Sequence, residues 1–359
     1  MLLRAPAFWG QGRGDGILPR LLSPLGTVTA AATARRVARR GWRAPVPVIC
    51  CGNVTLGGSG KTTLALDLGQ RLRARGVASH FLLRGYGGTF RGTKRVVAGD
   101  SAALAGDEAL LLAAVGPTWI GADRAASARA AVADGADVLV LDDGLQNPTL
   151  AKDLSLLVVD GGFGFGNGRV LPAGPLREPV AAGAARCAAA VLIDQDRFGA
   201  AAELPQWLRL LRARLFPGPE VAAVVGRRVL AFAGIGRPSK FFSMLQEAGV
   251  ELVEWLPLPD HHPFTDDEFR RIVSRGQQLD ALPVTTPKDA ARLTSAQRAA
   301  VHVVGVRLAW DDVSAIEGML DQVTRNWREM AGARPAATGA LATARQNTSI
   351  NRSTSVSSL

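Results

Sequence analysis

The stretch Thr55-Leu56-Gly57-Gly58-Ser59-Gly60-Lys61-Thr62-Thr63 has the residue types and spacing of a phosphate-binding loop. Gly57, Gly58 and Gly60 let the backbone curl so that its N–H groups converge on an anion. A helix opening on Lys61 aims the positive end of its dipole at the same point. Lys61 would reach the β- and γ-phosphates, and the Thr62 hydroxyl would ligate Mg²⁺. The strict pattern G-x-x-x-x-G-K-[ST] has glycine where this chain has Thr55. The plain alternative is a glycine-rich turn that holds nothing. Residues 135–147, GADVLVLDDGLQN, supply a second signal: an apolar strand ending in Asp142 and Asp143. A strand beside a phosphate loop commonly ends in the aspartate that takes Mg²⁺. Read alone, Asp-Asp-Gly is a turn.

Asp260, His261 and His262 follow another apolar run, 252–256. A loop after a strand lies at the ligand edge of an α/β sheet. A metal site, a base or base partner, and an ordinary loop all remain open there. Zinc is disfavoured, because adjacent histidines diverge and the chain's other two have no useful spacing. The run FAGIGRPS, 232–239, imitates a dinucleotide fingerprint, but Ser239 stands where its third glycine belongs.

These groups need a scaffold that delivers them to one edge. Residues 46–51 read as a buried strand, and Leu64, Leu68 and Leu72 mark a helix that Gly76 stops. The second half repeats the pattern. A strand at 229–233 leads to a helix with Phe241, Phe242 and Leu245 on one side, and Thr265 with Glu268 forms a capping box for another. Strands alternating with helices predict an α/β fold with a mainly parallel sheet. The expected division is a basic arm (1–45), a phosphate-loop domain (46–222), a smaller α/β lobe (223–330) and a disordered tail (331–359).

The net charge of +11 is unevenly placed. Residues 1–45 carry eight Arg against one Asp, and residues 333–359 carry three Arg and no acid, so the body between is close to neutral. A basic arm on a neutral body is drawn to a polyanion, membrane lipid or nucleic acid. Within the arm, Ser23-Pro24 reads as a helix start and Gly41 as its stop, with Arg35, Arg36, Arg39 and Arg40 at the cationic end. Trp9, Ile17, Leu21 and Leu22 add apolar surface, as a helix lying on an anionic bilayer needs. A solvated arginine face is the alternative. The uncharged stretch 21–34 is too short and polar to span a bilayer, and no secretory signal is evident. Cys50, Cys51 and Cys187 make no disulfide framework and fit a reducing cytoplasm as small buried groups.

The run CGNVTLGGSGKTT (51–63) resembles the variant phosphate loop of the tetraacyldisaccharide 4′-kinases, the lipid A 4′-kinases, in which Thr or Ser also replaces the first glycine. Further resemblances follow in order: LLRGYGG (82–88), GDEALLLA (106–113), GADR (121–124), LDDGLQN (141–147), GNGRVLPAGPLREP (166–179), FAGIGRP (232–238), DHHPF (260–264) and TTPKDAARL (285–293). Together they cover roughly residues 6 to 325. The resemblance implies a P-loop NTPase-like fold with helices on both faces of the sheet. It implies transfer of the γ-phosphoryl group of ATP, with Mg²⁺, to the 4′-hydroxyl of a tetraacylated glucosamine disaccharide 1-phosphate, forming lipid IVA. The enzyme would then be peripheral on the cytoplasmic face of the bacterial inner membrane, with its arm docked on anionic lipid. No nucleic acid and no obligate protein partner are expected.

By the same resemblance Asp107 matches the base and His261 its partner, so the two lobes must close on each other. Thr62, Asp142 and Asp143 match the metal side. Arg84, Tyr86, Arg124, Gln146, Asn147, Arg177 and Glu178 match positions near nucleotide or substrate. The chain departs from the family at Leu145 and Asn147, where Phe and His are usual, and at Thr63, often Pro. Two other readings stay in view. A regulatory GTPase or metallochaperone-type switch would want N-K-x-D, whereas 286–289 reads TPKD. A nucleic-acid-dependent ATPase would want a basic, aromatic-studded face on the body, which is near neutral.

Overall fold

The computed structural model describes residues 6–10, 12 and 16–332. Its first eight strands are β1 (Val48–Gly52), β2 (Ser79–Leu83), β3 (Thr93–Arg95), β4 (Thr118–Gly121), β5 (Val138–Asp142), β6 (Leu154–Asp160), β7 (Ala189–Ile193) and β8 (Arg209–Pro217). Five more follow: β9 (Arg228–Ala233), β10 (Glu251–Pro257), β11 (Leu282–Thr285), β12 (His302–Val303) and β13 (Val306–Trp310).

Among the described residues these make two sheets. A nine-stranded sheet runs β13-β8-β7-β6-β1-β5-β2-β4-β3, and a four-stranded one runs β10-β9-β11-β12. Strands β8 to β4 of the larger sheet pair in parallel, and only the edges β3 and β13 are antiparallel. Every pair in the smaller sheet is parallel. The central strands β1, β2, β5 and β6 are buried along their whole length, as short apolar runs with helices on both faces must be. One core faces the helix Lys61–Ala74, and a second faces the opposite side with Leu145, Phe165 and Leu176. The small lobe likewise has a core on each face, one built on Phe241, Phe242 and Leu245 and the other on Phe269 and Ile272.

Four expectations are corrected. The small lobe does not run to 330: β13 returns to pair with β8, and the terminal helix Val313–Gly332 packs Ile316 and Leu320 into the large lobe's core. Arg71 and Arg75 of the helix after the phosphate loop pair with Glu317 of that terminal helix. The expected disordered tail begins inside this helix, and from 333 onward it lies outside the described residues. The arm's helix spans Ile17–Val37 and contains Pro24, so Ser23 is no cap; its Oγ donates to the Pro19 carbonyl at 2.7 Å. Starting earlier puts Ile17, Leu18 and Leu21 on the helix. Thr265 does cap Asp266–Gln278 by accepting from the Glu268 N–H at 3.2 Å. Glu268 does not complete the box, because its carboxylate meets His262 Nε2 at 2.7 Å.

Gly69 shows packing overriding helix propensity. It lies mid-helix, where alanine is ordinarily better by about 1 kcal/mol. Here a Cβ would come within 2.2 Å of the fully buried Phe81 ring, which has no room to yield. Overpacking of this kind costs about 1–3 kcal/mol. Gly69→Ala is expected to lower the urea midpoint, and a raised midpoint would refute the packing argument.

Candidate functional site

Parallel order places the C-terminal ends of β1, β5, β2 and β4 along one edge of the sheet. The phosphate loop follows β1. Gly60 caps its helix at φ 89°, a left-handed setting that a side chain resists, and a Cβ there would meet Ile193 Cδ1 at 2.6 Å. Thr55 and Ser59 are buried and share the Asn53 amide, which donates to their hydroxyls at 3.1 and 2.9 Å. Leu56 is tied by its N–H to the Pro175 carbonyl at 2.9 Å. Thr55 therefore braces the loop from beneath, while nothing crowds Gly57 or Gly58 on the open side. Lys61 opens the helix Lys61–Ala74, with Thr62 and Thr63 in its first turn.

Asp142 ends β5 and accepts from Thr62 Oγ1 at 2.8 Å. Its other oxygen, Oδ1, is buried and has no partner among the described residues. Burial, with help from Glu108, pushes the Asp142 pKa up to about 7, against the pull of Lys61. A buried carboxylate oxygen lacking a partner, beside a phosphate-loop hydroxyl, suits a hard cation that keeps water and phosphate oxygens as its other ligands. Asp143 turns the other way, with its backbone at φ 53°. Its carboxylate takes both Arg177 Nη1 (2.7 Å) and Nη2 (3.1 Å), with Lys61 Nζ at 3.9 Å. Of the two aspartates, Asp142 is the one beside Thr62.

Asp107 stands at the start of the helix Asp107–Ala113. Gly106 before it is at φ 88°, and a Cβ there would strike the Tyr86 carbonyl at 2.5 Å, so the loops after β2 and before Asp107 nest closely. Asp107 is 3% exposed. Its Oδ1 accepts the Glu108 N–H at 2.8 Å, and His261 Nδ1 donates to its Oδ2 at 2.9 Å. The second histidine, His262, is occupied by Glu268. His261 sits at φ 57°, a conformation few non-glycine residues adopt, and its ring lies 5.9 Å from that of Tyr86. Asp107 belongs to the large lobe and His261 to the loop after β10, so the pair spans the two lobes.

The remaining residues divide by burial. Arg84 and Tyr86 are exposed at the edge. Arg124 is buried, its Nη1 donating to the Gly121 carbonyl, and burial lowers its pKa to about 10. Gln146 and Glu178 are buried and bonded to each other at 2.7 Å, Gln146 also donating to the Asn53 carbonyl at 2.8 Å and Glu178 pairing with Arg186. Gln146 Oε1 also accepts from Arg177 Nη1 at 3.3 Å, so the pair connects Arg177 to the strand end before the phosphate loop. Asn147 Oδ1 accepts from the backbone N–H and hydroxyl of Thr149, both at 3.0 Å, so it shapes its own turn.

Sequence reasoning passed over two arginines. Arg292 donates from Nε to Asp107 Oδ2 at 3.1 Å and also from Nη2. Arg237 of the small lobe pairs with Asp160 at the end of β6 and reaches the Gly58 carbonyl at 3.3 Å. Both lie in motifs noted above, but contact across a lobe boundary leaves no periodicity in a sequence.

The family described as Tetraacyldisaccharide-1-P 4'-kinase matches residues 18–325. A Tetraacyldisaccharide 4'-kinase of Gluconacetobacter diazotrophicus is 56% identical over 320 residues, covering 89% of this chain and 98% of the relative. Its counterpart in Rhodospirillum centenum is 54% identical over 323 residues, covering 89% and 96%. A crystal structure described as the "apo" form of LpxK from Aquifex aeolicus in complex with ATP superposes with a TM-score of 0.69 at 25% identity, covering 86% of this chain and 100% of that one.

Proposed function

The chain belongs to the tetraacyldisaccharide-1-P 4'-kinase family, and from that premise we propose that it phosphorylates a tetraacylated glucosamine disaccharide 1-phosphate at its 4′-hydroxyl, consuming ATP. The observation that carries this reading is the Asp107–His261 contact across the lobes, on the edge that holds Lys61 and Asp142.

The phosphate-loop N–H groups and Lys61 hold the triphosphate. Asp142 and Thr62 would hold Mg²⁺, which supplies charge neutralisation at the phosphates. Asp107 keeps a lone pair free on Oδ1 to accept the hydroxyl proton. The sugar oxygen bonds to the γ-phosphorus, the bond to the β-phosphate oxygen breaks, and ADP leaves with that electron pair. The transition state is loose, so a carboxylate placed well matters more than a strong base. Lobe closure keeps water from competing for the γ-phosphoryl group. With purified enzyme, label is expected to pass from γ-labelled ATP to the disaccharide lipid, and GTP is expected to be the poorer donor. A folded protein that transfers no label sinks the proposal.

The substrate is acylated, and the helix Ile17–Val37 supports a membrane-surface role. Ile17 and Leu21 are 80% and 71% exposed, and Leu18, Leu25 and Val28 are exposed with them. Its other side packs through Gly26, where a Cβ would meet the Val170 carbonyl at 2.9 Å, and through Thr33. Arg35 and Arg36 are exposed in its last turn and Arg39 and Arg40 just beyond it, since the helix stops at Val37 and not at Gly41. No helix among the described residues is long and apolar enough to cross a membrane. An apolar row ending in arginines fits a helix lying in an anionic interface. Two leucines at roughly 1.5 kcal/mol each make about 100-fold in partition. Leu21→Ser with Leu25→Ser is expected to weaken binding to anionic vesicles by that order. Unchanged sedimentation with vesicles would assign the helix another role.

A further inference from the structure

We propose that Arg292 is a positioning residue for phosphoryl transfer: anchored in the small lobe, it sets Asp107 of the large lobe as an ionised carboxylate facing the acceptor. The inference rests on the kinase reading and assigns one more residue to the same site.

The guanidinium is divided between two tasks. On one side Nη1 donates to Asp289 Oδ1 and to the Gly234 carbonyl, both at 3.0 Å. Asp289 is fully buried and is itself held, accepting from the Gly234 N–H at 2.9 Å and from Thr286 Oγ1 at 2.6 Å. On the other side Nε and Nη2 both reach Asp107 Oδ2. A planar fork with fixed donor directions can do this, and a lysine point charge cannot. The arginine's orientation is therefore set before the lobes meet, and it presents a ready-made seat for the carboxylate.

Such a seat has work to do. Asp107 is 3% exposed, and burial alone drives a carboxyl toward its neutral form. A protonated Asp107 cannot take the acceptor's proton. Burial is outweighed by the hydrogen bond from His261 and by the Lys288 and Arg292 charges, which hold the group well below the usual carboxylate range. The ionisable groups facing it are His261 from the loop after β10 and Lys288 and Arg292 from the segment after β11; Glu108 and Asp260 stand against Lys288, and Asp289 behind the guanidinium. Removing the Arg292 charge leaves burial less opposed. The Asp107 pKa then rises, and the acid limb of the rate profile moves to higher pH.

A mere brace between lobes would behave differently: losing it would lower stability and leave the acid limb in place. The test uses the full chain, with Arg292→Met, Arg292→Lys and Asp289→Asn beside the unaltered enzyme. It measures kcat, KM for both substrates, ATP binding and the pH profile. For Arg292→Met, kcat is expected to fall by about 100-fold, the scale of a misplaced reacting group, with ATP affinity within twofold and the acid limb displaced upward. Arg292→Lys is expected to restore the limb but not kcat. Asp289→Asn, which frees the anchor, is expected to lower kcat without changing ATP affinity. If Arg292→Met does not fold, the other two variants decide. An unmoved limb, or kcat within threefold of the unaltered enzyme, overturns the proposal. Unaltered enzyme that transfers nothing overturns the kinase reading and this inference together, whereas active enzyme beside unaffected variants overturns this inference alone.

Discussion

Asp107→Asn is expected to bind ATP normally and to lose lipid phosphorylation by about 100- to 10,000-fold, the range a positioned proton acceptor contributes. The amide keeps the shape of the carboxyl but accepts no proton from an alcohol. ATP binding rests on the loop after β1 and on Lys61, which this change does not touch. A second consequence separates this substitution from a surface one. His261 and Arg292 both give hydrogen bonds to Oδ2, and Arg292 is nearly buried, so removing the charge leaves a buried cation partly unpaired. Breaking a buried pair from one side costs about 3–5 kcal/mol, so the melting temperature should fall as well. The carboxylate's depressed pKa sets the sign with pH. Its stabilising contribution is complete above the ordinary carboxylate range and is lost on acidification through the lower folded value. Turnover and ATP affinity measured below the melting transition decide the case. Equal loss of both would demote Asp107 to a structural role.

Asp142→Asn should move activity and stability in opposite directions. Asp142 is 2% exposed, and its Oδ1 has no partner among the described residues. A buried ionised carboxylate without a compensating ligand destabilises the fold. The amide removes that charge and keeps the Thr62 contact, so without Mg²⁺ the variant should melt higher than the unaltered chain. With Mg²⁺ and ATP, its kinase activity should fall by about 1,000-fold, in proportion to the several kcal/mol of charge stabilisation that a bound ion supplies. Magnesium should raise the melting temperature of the unaltered chain and do so less in the variant. A variant that melts lower without metal and keeps its turnover would remove Asp142 from the metal side.

Local signals were legible in the sequence wherever one element carried them. The phosphate loop, its flanking strand and helix, and the Phe241, Phe242 and Leu245 face all follow from spacing. The buried cysteines are free, in keeping with their apolar neighbours. Boundaries failed where a rule had two outcomes. Pro24 reads as a helix start, yet the first turn's carbonyls are also met by side chains such as Ser23, and the helix begins earlier. Glu268 has the spacing of a capping box but meets a stronger partner in His262. Long-range pairing was not legible at all. Nothing local to residues 306–310 says that they pair with β8 instead of extending the small sheet. Nothing local to Gln146 or Glu178 says that the two side chains bond to each other. The resemblance brought Asp107 and His261 together, and geometry alone added Arg292 and Arg237.

The return of β13 to β8 makes the small lobe an insertion between neighbouring strands of one sheet. At its base the Gly218 N–H donates to the Gly305 carbonyl at 2.8 Å, so the outgoing and incoming chains are clasped side by side. The two tethers therefore leave and re-enter the large sheet side by side. They also impose an order on synthesis. When β8 leaves the ribosome its edge has no neighbour until β13 appears, and at about 5–20 residues per second that wait is roughly ten seconds. During that interval the nascent large lobe presents an unprotected strand edge, the kind that recruits another chain. The small lobe, contiguous in sequence, can complete itself first. Its completion brings the missing strand back to the waiting edge, so the clasp between Gly218 and Gly305 closes only after the small lobe's strands have been made.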